Sequence, residues 1–338
     1  MKQFHTLNHL RKSIQNLPAP EDHFEQTIRQ KQNSLFKPPG SLGELENLVA
    51  WLATWQKKII PSLNRVRIKI FAGNHGVVKE NVTPYNPNLT ELRVEQIHKN
   101  HAAINQLATV AQAEVEIIRV NNLLATKNIC EAPAMSETNF LEAVETGFFS
   151  VSKDIDLLAL GEVGIGNTTI AAALSAALFG GEGAQWISKG AGNSIEYMVN
   201  KQKAVEKALM LHQSCLNDPL EVLRHFGGFE QAALFGAILA ARLLNVPVLL
   251  DGFVCTSAAA VLQQLNPIGL LHTKISHLSA EKGHLLLAGN LDLYPLVAFN
   301  MRLGEATGCA VVIPILRGAL SCYQYMTTNG DIGFSFSE

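Results

Sequence analysis

The hydrophobic pattern of the chain switches repeatedly between two periods. Val66–Ala72 alternates Val, Ile and Ile with Arg67 and Lys69, which is the period of a strand. Residues 114–120 read the same way, and 155–160 and 246–250 are short apolar runs of buried-strand length. A further strand is expected near 269–272. Between them, Leu45, Leu48, Val49 and Leu52 recur at helical spacing. Helices are also expected over 21–35, 90–108, 138–152, 196–211 and 310–327. Asp218-Pro219 opens a short helix that Gly227-Gly228 ends. Residues 232–250 are apolar but carry Arg242, Asn245 and Pro247, and read as a buried helix and strand, not a membrane span. Strands alternating with helices predict an α/β protein with a mostly parallel, Rossmann-like sheet flanked by helices. Residues 1–60 and 305–338 are expected to form a smaller helical lobe, and 61–304 the α/β catalytic domain.

The stretch after residue 155 carries the first chemistry. Its apolar run meets Gly161-Glu162-Val163-Gly164-Ile165-Gly166-Asn167-Thr168-Thr169 and then an alanine-rich helix. The glycines allow a tight turn and close backbone approach, and Asn167, Thr168 and Thr169 can cap the helix. Strand, glycine loop and helix N-terminus together suit an anion. The glycine spacing fits neither the phosphate-loop nor the dinucleotide pattern. The tripeptide Leu160-Gly161-Glu162 recurs as Leu303-Gly304-Glu305, again followed by small residues. Two carboxylates on glycine-flanked turns suggest acid/base or cation-stabilising work. Lys37-Pro38-Pro39-Gly40-Ser41-Leu42-Gly43 reads as a rigid loop in which Ser41 caps the next helix. Gly73-Asn74-His75-Gly76 follows a strand, where ligands sit in open α/β sheets. Thr83 and Tyr85 lie on a polar loop suited to cover a flat ring.

Composition narrows the classes. A chain of 338 residues with 47% hydrophobic residues can bury a large core, and its net charge of -2 lacks the basic excess of a nucleic-acid binder. Its N-terminus shows no signal-peptide pattern. The five cysteines are widely spaced with no CxxC pair, which suits a reduced cytoplasm and argues against a structural zinc site.

Taken together, Lys37 to Gly43, Gly73-Asn74-His75-Gly76-Val77, Ala102-Ala103-Ile104-Asn105, Glu131-Ala132-Pro133-Ala134-Met135, the 160–169 loop, 248–252, Ser279-Ala280-Glu281-Lys282-Gly283-His284 and Arg302 to Gly308 resemble one family. It is the nicotinate-nucleotide–dimethylbenzimidazole phosphoribosyltransferases of cobalamin lower-ligand synthesis. The motifs fall in the same order over about residues 33–327. The resemblance implies transfer of a phosphoribosyl group from nicotinate mononucleotide to a benzimidazole nitrogen, by a homodimer without metal or cofactor. It implies Glu305 as general base and Glu162 as a carboxylate stabilising charge at the ribose. It implies nucleotide and phosphate contacts from Gly164, Gly166, Asn167, Thr168, Gly190, Gly192, Lys201 and Ser279. It implies an acceptor pocket from Asn74, His75, Thr83, Tyr85 and Leu92. Asn74, Ala191 and Leu92 depart from the usual Asp, Thr and Gln, mostly on the acceptor side. The alternatives are therefore a purine or phenol acceptor, or a catalytically weak nucleotide-binding subunit. An unrelated hydrolase is disfavoured by the missing Gly-x-Ser-x-Gly turn.

Overall fold

The computed structural model of the chain describes residues 4–188 and 194–333. In chain order its strands are β1 (Val66–Ala72), β2 (Glu114–Arg119), β3 (Leu157–Val163), β4 (Val248–Leu250) and β5 (Thr273–Ile275). The helices before β3 are α1 (Leu7–Gln15), α2 (Asp22–Ser34), α3 (Glu44–Gln56), α4 (Asn88–His98), α5 (Ala103–Ala111) and α6 (Glu137–Ser150). After it come α7 (Asn167–Phe179), α8 (Gly183–Trp186), α9 (Ile195–Leu211), α10 (Pro219–Phe226), α11 (Phe229–Leu244), α12 (Phe253–Leu265), α13 (Lys282–Asn290) and α14 (Thr307–Tyr325).

The strands form a parallel sheet in the order β2-β1-β3-β4-β5. Side chains alternate across it, as the two-residue period of a strand requires. Ile68, Ile70, Leu157, Ala159 and Leu249 join the core with α3, α5 and α14. Phe71, Leu158, Leu160, Val248 and Leu250 join the opposite core with α6, α7, α11 and α12. The polar alternates of β1 have partners: Arg67 and Lys69 pair with Glu114 and Glu116 of the edge strand β2. Of the segments expected in a small lobe, α2, α3 and α14 pack in succession, and α14 also packs on α5 and β3. The first helix lies elsewhere. It packs on α12, and the Ile14 carbonyl accepts from Asn266 Nδ2 at 2.9 Å.

Several local expectations are corrected. The 90–108 helix is two helices, α4 and α5, separated where Asn100 takes a left-handed φ of 59°. The last strand begins at Thr273, just beyond the expected 269–272. Ser41 does not cap α3, which begins at Glu44 with Gly43 in the cap position and no side-chain cap. Instead Glu46 locks the preceding loop, accepting from buried Lys37 Nζ at 2.7 Å and from the Leu42 N–H at 3.1 Å.

Candidate active site

The order of the strands reverses between β1 and β3, and in such sheets ligands bind beyond the carboxyl ends of the strands near that point. Here the loops after β3, β4 and β5 surround a cavity, with 82–85, Arg93 and 302–304 completing its wall. The loops after β1 and β3 touch behind it: a Cβ on Gly164 would lie 2.5 Å from the Gly73 carbonyl oxygen.

Glu162 is still inside β3, whose hydrogen-bonded register with β1 runs through Val163. The first Leu-Gly-Glu copy is therefore extended strand and not a turn. Its carboxylate is buried and accepts from Asn167 Nδ2. That side chain was expected to cap α7; Gly166, at φ 95°, occupies the cap position instead. Burial, reinforced by the nearby Glu230 and Asp251 carboxylates, pushes the Glu162 carboxyl up to about 8 against the weaker pull of Asn167. At neutral pH Glu162 is therefore held mainly as a neutral acid.

Glu305 reaches the same place by another route. Gly304, Glu305 and Ala306 have φ of 81°, 63° and 61°, three successive left-handed residues of which two are not glycine. The turn is clamped from both sides. The Glu305 N–H donates to the Glu162 carbonyl at 3.0 Å, and the Thr307 hydroxyl donates to the Gly304 carbonyl at 2.8 Å. Next in the chain, the Gly308 N–H donates to Asp251 Oδ1 at 2.8 Å. The turn also stands on Gly161, where a Cβ would come within 2.2 Å of the Ala306 nitrogen. The Glu305 carboxylate lies buried just behind the cavity wall and accepts from Arg93 Nη1 at 2.7 Å. Burial raises its pKa, and Arg93 offsets only part of that rise.

The cavity also carries a cation and backbone amides. The first N–H groups of α7 have no partner within the helix, and Gly166, Asn167 and Thr168 present this end to the cavity. Buried Lys201 donates to Thr168 Oγ1 and to the Ser188 carbonyl, each at 3.3 Å. Burial lowers its pKa, opposed by Glu281. Ser279 is held by His284. The Ser279 N–H can only donate, so Nδ1 of His284 is the acceptor at 3.0 Å and its Nε2–H faces Thr256 Oγ1 at 3.1 Å. Burial keeps that imidazole neutral, its pKa pushed down to about 3.

The cavity brings together Glu162, Gly164, Gly166, Asn167, Thr168, Lys201, Ser279, Thr83 and Tyr85, with Glu305 directly behind. Gly190 and Gly192 lie outside the described residues. Three of the expected acceptor residues do not line it. Asn74 is turned away, donating to the Leu123 carbonyl at 3.0 Å. His75 is buried behind the Gly164 loop, with Nε2 3.2 Å from the equally buried Glu230 carboxylate. Leu92 is 53% exposed on α4. Its neighbour Arg93 lines the cavity instead, because adjacent helical residues point about 100° apart. Arg93 was missed, yet its signal was present: with Thr90, Val94 and Ile97 it falls on the inward i, i+3, i+4, i+7 stripe. Asp251, His277, Glu281 and Arg302 also line the site. They were visible only as parts of motifs.

A family model described as phosphoribosyltransferase matches residues 17–333. The chain is 46% identical over 332 residues to the nicotinate-nucleotide–dimethylbenzimidazole phosphoribosyltransferase of Mesorhizobium japonicum, covering 98% of this chain and 99% of that one. It is 44% identical over 328 residues to the enzyme of that name from Brucella canis, covering 97% of each. The crystal structure of the Thermus thermophilus enzyme of that name superposes with a TM-score of 0.85 at 33% identity, over 94% of this chain and 100% of that one. With the resemblance read from its motifs now matched in sequence and in three dimensions over nearly its full length, the chain belongs to the nicotinate-nucleotide–dimethylbenzimidazole phosphoribosyltransferase family.

Proposed function

We propose that the protein transfers the phosphoribosyl group of nicotinate mononucleotide to a ring nitrogen of 5,6-dimethylbenzimidazole, giving α-ribazole 5′-phosphate and nicotinate. The observation that carries the reading is the gathering of acids, a cation and free amides at one cavity. Glu162 lines it and Glu305 lies behind it, their backbones tied by the 3.0 Å bond from the Glu305 N–H to the Glu162 carbonyl. Lys201 and the first residues of α7 line the same cavity.

The donor phosphate suits the α7 amides, with Thr168, Lys201 and Ser279 beside them. The acceptor suits the space by Thr83, Tyr85 and Arg93, next to Glu305. In the transfer, the lone pair of one benzimidazole nitrogen forms the bond to the anomeric carbon. The bond from that carbon to the pyridinium nitrogen breaks, and its electron pair neutralises the ring as nicotinate leaves. Attack from the face opposite the leaving group inverts the anomeric carbon. The proton on the second benzimidazole nitrogen passes to Glu305 as general base. Glu162 meets the donor as a neutral acid. The positive pyridinium ring arriving beside it lowers its pKa, so its proton is released to bulk water on donor binding and the carboxylate then balances charge building on the ribose. Holding both reactants in one closed site supplies much of the remaining acceleration.

The protein alone, given nicotinate mononucleotide and a panel of benzimidazoles, purines and phenols, tests this directly. The expected result is nicotinate release with formation of the α-riboside, fastest with dimethylbenzimidazole. No release with any base would overturn the proposal in favour of a silent subunit. The working form we propose is a cytoplasmic homodimer. The exposed apolar side chains Leu285, Tyr294 and Phe299 offer a surface for the second copy, and all five cysteines are unpaired. Light scattering at working concentration checks the dimer.

A further inference from the structure

The two acids at the site have unlike partners. Glu162 is held by the neutral amide of Asn167, and Glu305 by the guanidinium of Arg93. Among the described residues, Arg93 is the one cation in contact with either carboxylate. Its delivery is built into the fold. One turn before it on α4, Thr90 is fully buried and its hydroxyl accepts from the Ile165 N–H of the glycine loop at 3.3 Å. The helix that carries Arg93 is thus tethered to the loop expected to bind the donor. The Glu305 side chain is only 4% exposed, so the contact is unlike a solvated surface pair, whose worth is small. The titratable groups facing Glu305 from the packed elements are Arg93 of α4, Glu162 of β3 and Asp251 at the end of β4. Without Arg93, burial and the neighbouring Asp251 would leave Glu305 holding its proton more tightly and make it a poorer base.

We propose that Arg93 is the positioning residue of the general base: it keeps Glu305 anionic and fixed at the cavity wall until the acceptor's ring N–H arrives. This rests on the reading of Glu305 as general base. In the transfer step the proton moves from the acceptor nitrogen to Glu305 Oε, and Arg93 keeps its own protons throughout. Burial leaves the Glu305 pKa raised on balance, and the Arg93 hydrogen bond is the largest influence opposing that rise.

The test is the pH dependence of kcat/KM for the acceptor, at saturating donor, in Arg93→Met, Arg93→Lys and Glu305→Gln. Losing an opposite charge in contact with a carboxylate moves its titration by about 1–3 units. The acid limb of Arg93→Met is therefore expected about one unit or more above that of the parent. Its loss should grow as pH falls below the limb, towards about tenfold for each unit of displacement, and be smallest on the alkaline plateau. Arg93→Lys, which keeps the charge, should restore the limb, and donor affinity should be unchanged in both variants. A merely structural role would depress the rate equally at every pH. An unmoved limb in Arg93→Met, alongside an inactive Glu305→Gln, overturns the role of Arg93 alone. Near-normal turnover of Glu305→Gln overturns the general-base reading and this proposal with it.

Discussion

Leu160-Gly161-Glu162 and Leu303-Gly304-Glu305 share three residues and little else. The first copy ends a strand paired with β1, and its backbone is extended. The second is a run of left-handed residues ahead of α14. The glycines differ accordingly. Gly161 is needed for space, because the Ala306 backbone lies where a Cβ would go. Gly304 is needed mainly for conformation, since its φ of 81° is one that L side chains rarely adopt. The carboxylates differ too. One is buried among other acids with an amide partner and is driven up to about 8, while the other is buried but held by an arginine. A pair of like groups whose surroundings push their protonation apart is how a site assigns separate roles to two acids. The lesson is that a repeated tripeptide marks where chemistry gathers, and its neighbours in space decide what each copy does.

Four substitutions probe that difference, and the largest effect is expected at Glu305. Glu305→Gln removes basicity and keeps size, so turnover should fall by about 10²–10⁴-fold, with donor affinity retained. Turnover within a few-fold of the parent would make the two copies equivalent in chemistry.

The second effect is on stability. Glu162 titrates near 4.5 when unfolded and at about 8 when folded, so between these values the native state holds a proton that the unfolded chain has lost. Its contribution is fully present below pH 4.5 and is lost as pH rises through 8. Denaturant unfolding of Glu162→Gln against the parent should show a gap growing in the variant's favour across that window, on the order of a few kcal/mol. A gap independent of pH would mean that Glu162 is ionised in the folded protein throughout. Glu305→Gln, with Arg93 opposing the burial, should show the smaller pH-dependent gap of the two.

Smaller changes are expected at the glycines. Gly161→Ala drives a methyl group into the Ala306 backbone and should cost about 1–3 kcal/mol of stability, as overpacking does. It should also reduce turnover, because the Glu305 turn stands on that contact. Gly304→Ala carries a conformational penalty of about 1 kcal/mol. Its Cβ would lie 3.0 Å from Glu162 Oε1, a contact that a small side-chain shift relieves. Equal destabilisation by the two substitutions in thermal melts would erase the distinction between a contact glycine and a conformational one.

Much of this was readable along the chain. Alternating Val, Ile and Ile between charges marked β1, and the charges proved to face Glu114 and Glu116 on the edge strand. The glycine loop before α7 and the second Leu-Gly-Glu marked the site. What failed did so for identifiable reasons. Glu162 was read as a turn residue because glycine is permissive, whereas pairing with β1 extended the strand past it. Leu92 drew attention as a departure within a motif, but exposure on a helix is settled by which face packs, and that face carries Arg93. His75 sits in a loop of the right kind, yet its ring turns inward to Glu230, far along the sequence on α11. Asn167 has a capping side chain, but a buried acid beside it claimed that side chain.

The sequence by itself determined most of the strand and helix pattern, the α/β class and the family, and it singled out both candidate acids. These depend on local periodicity, turn chemistry and ordered motifs, all of which are written in neighbouring residues. Only the tertiary structure decided how tightly each acid holds its proton. That outcome depends on burial and on partners at 230, 251, 167 and 93, and electrostatic energy follows distance in space and local polarity, not separation along the chain.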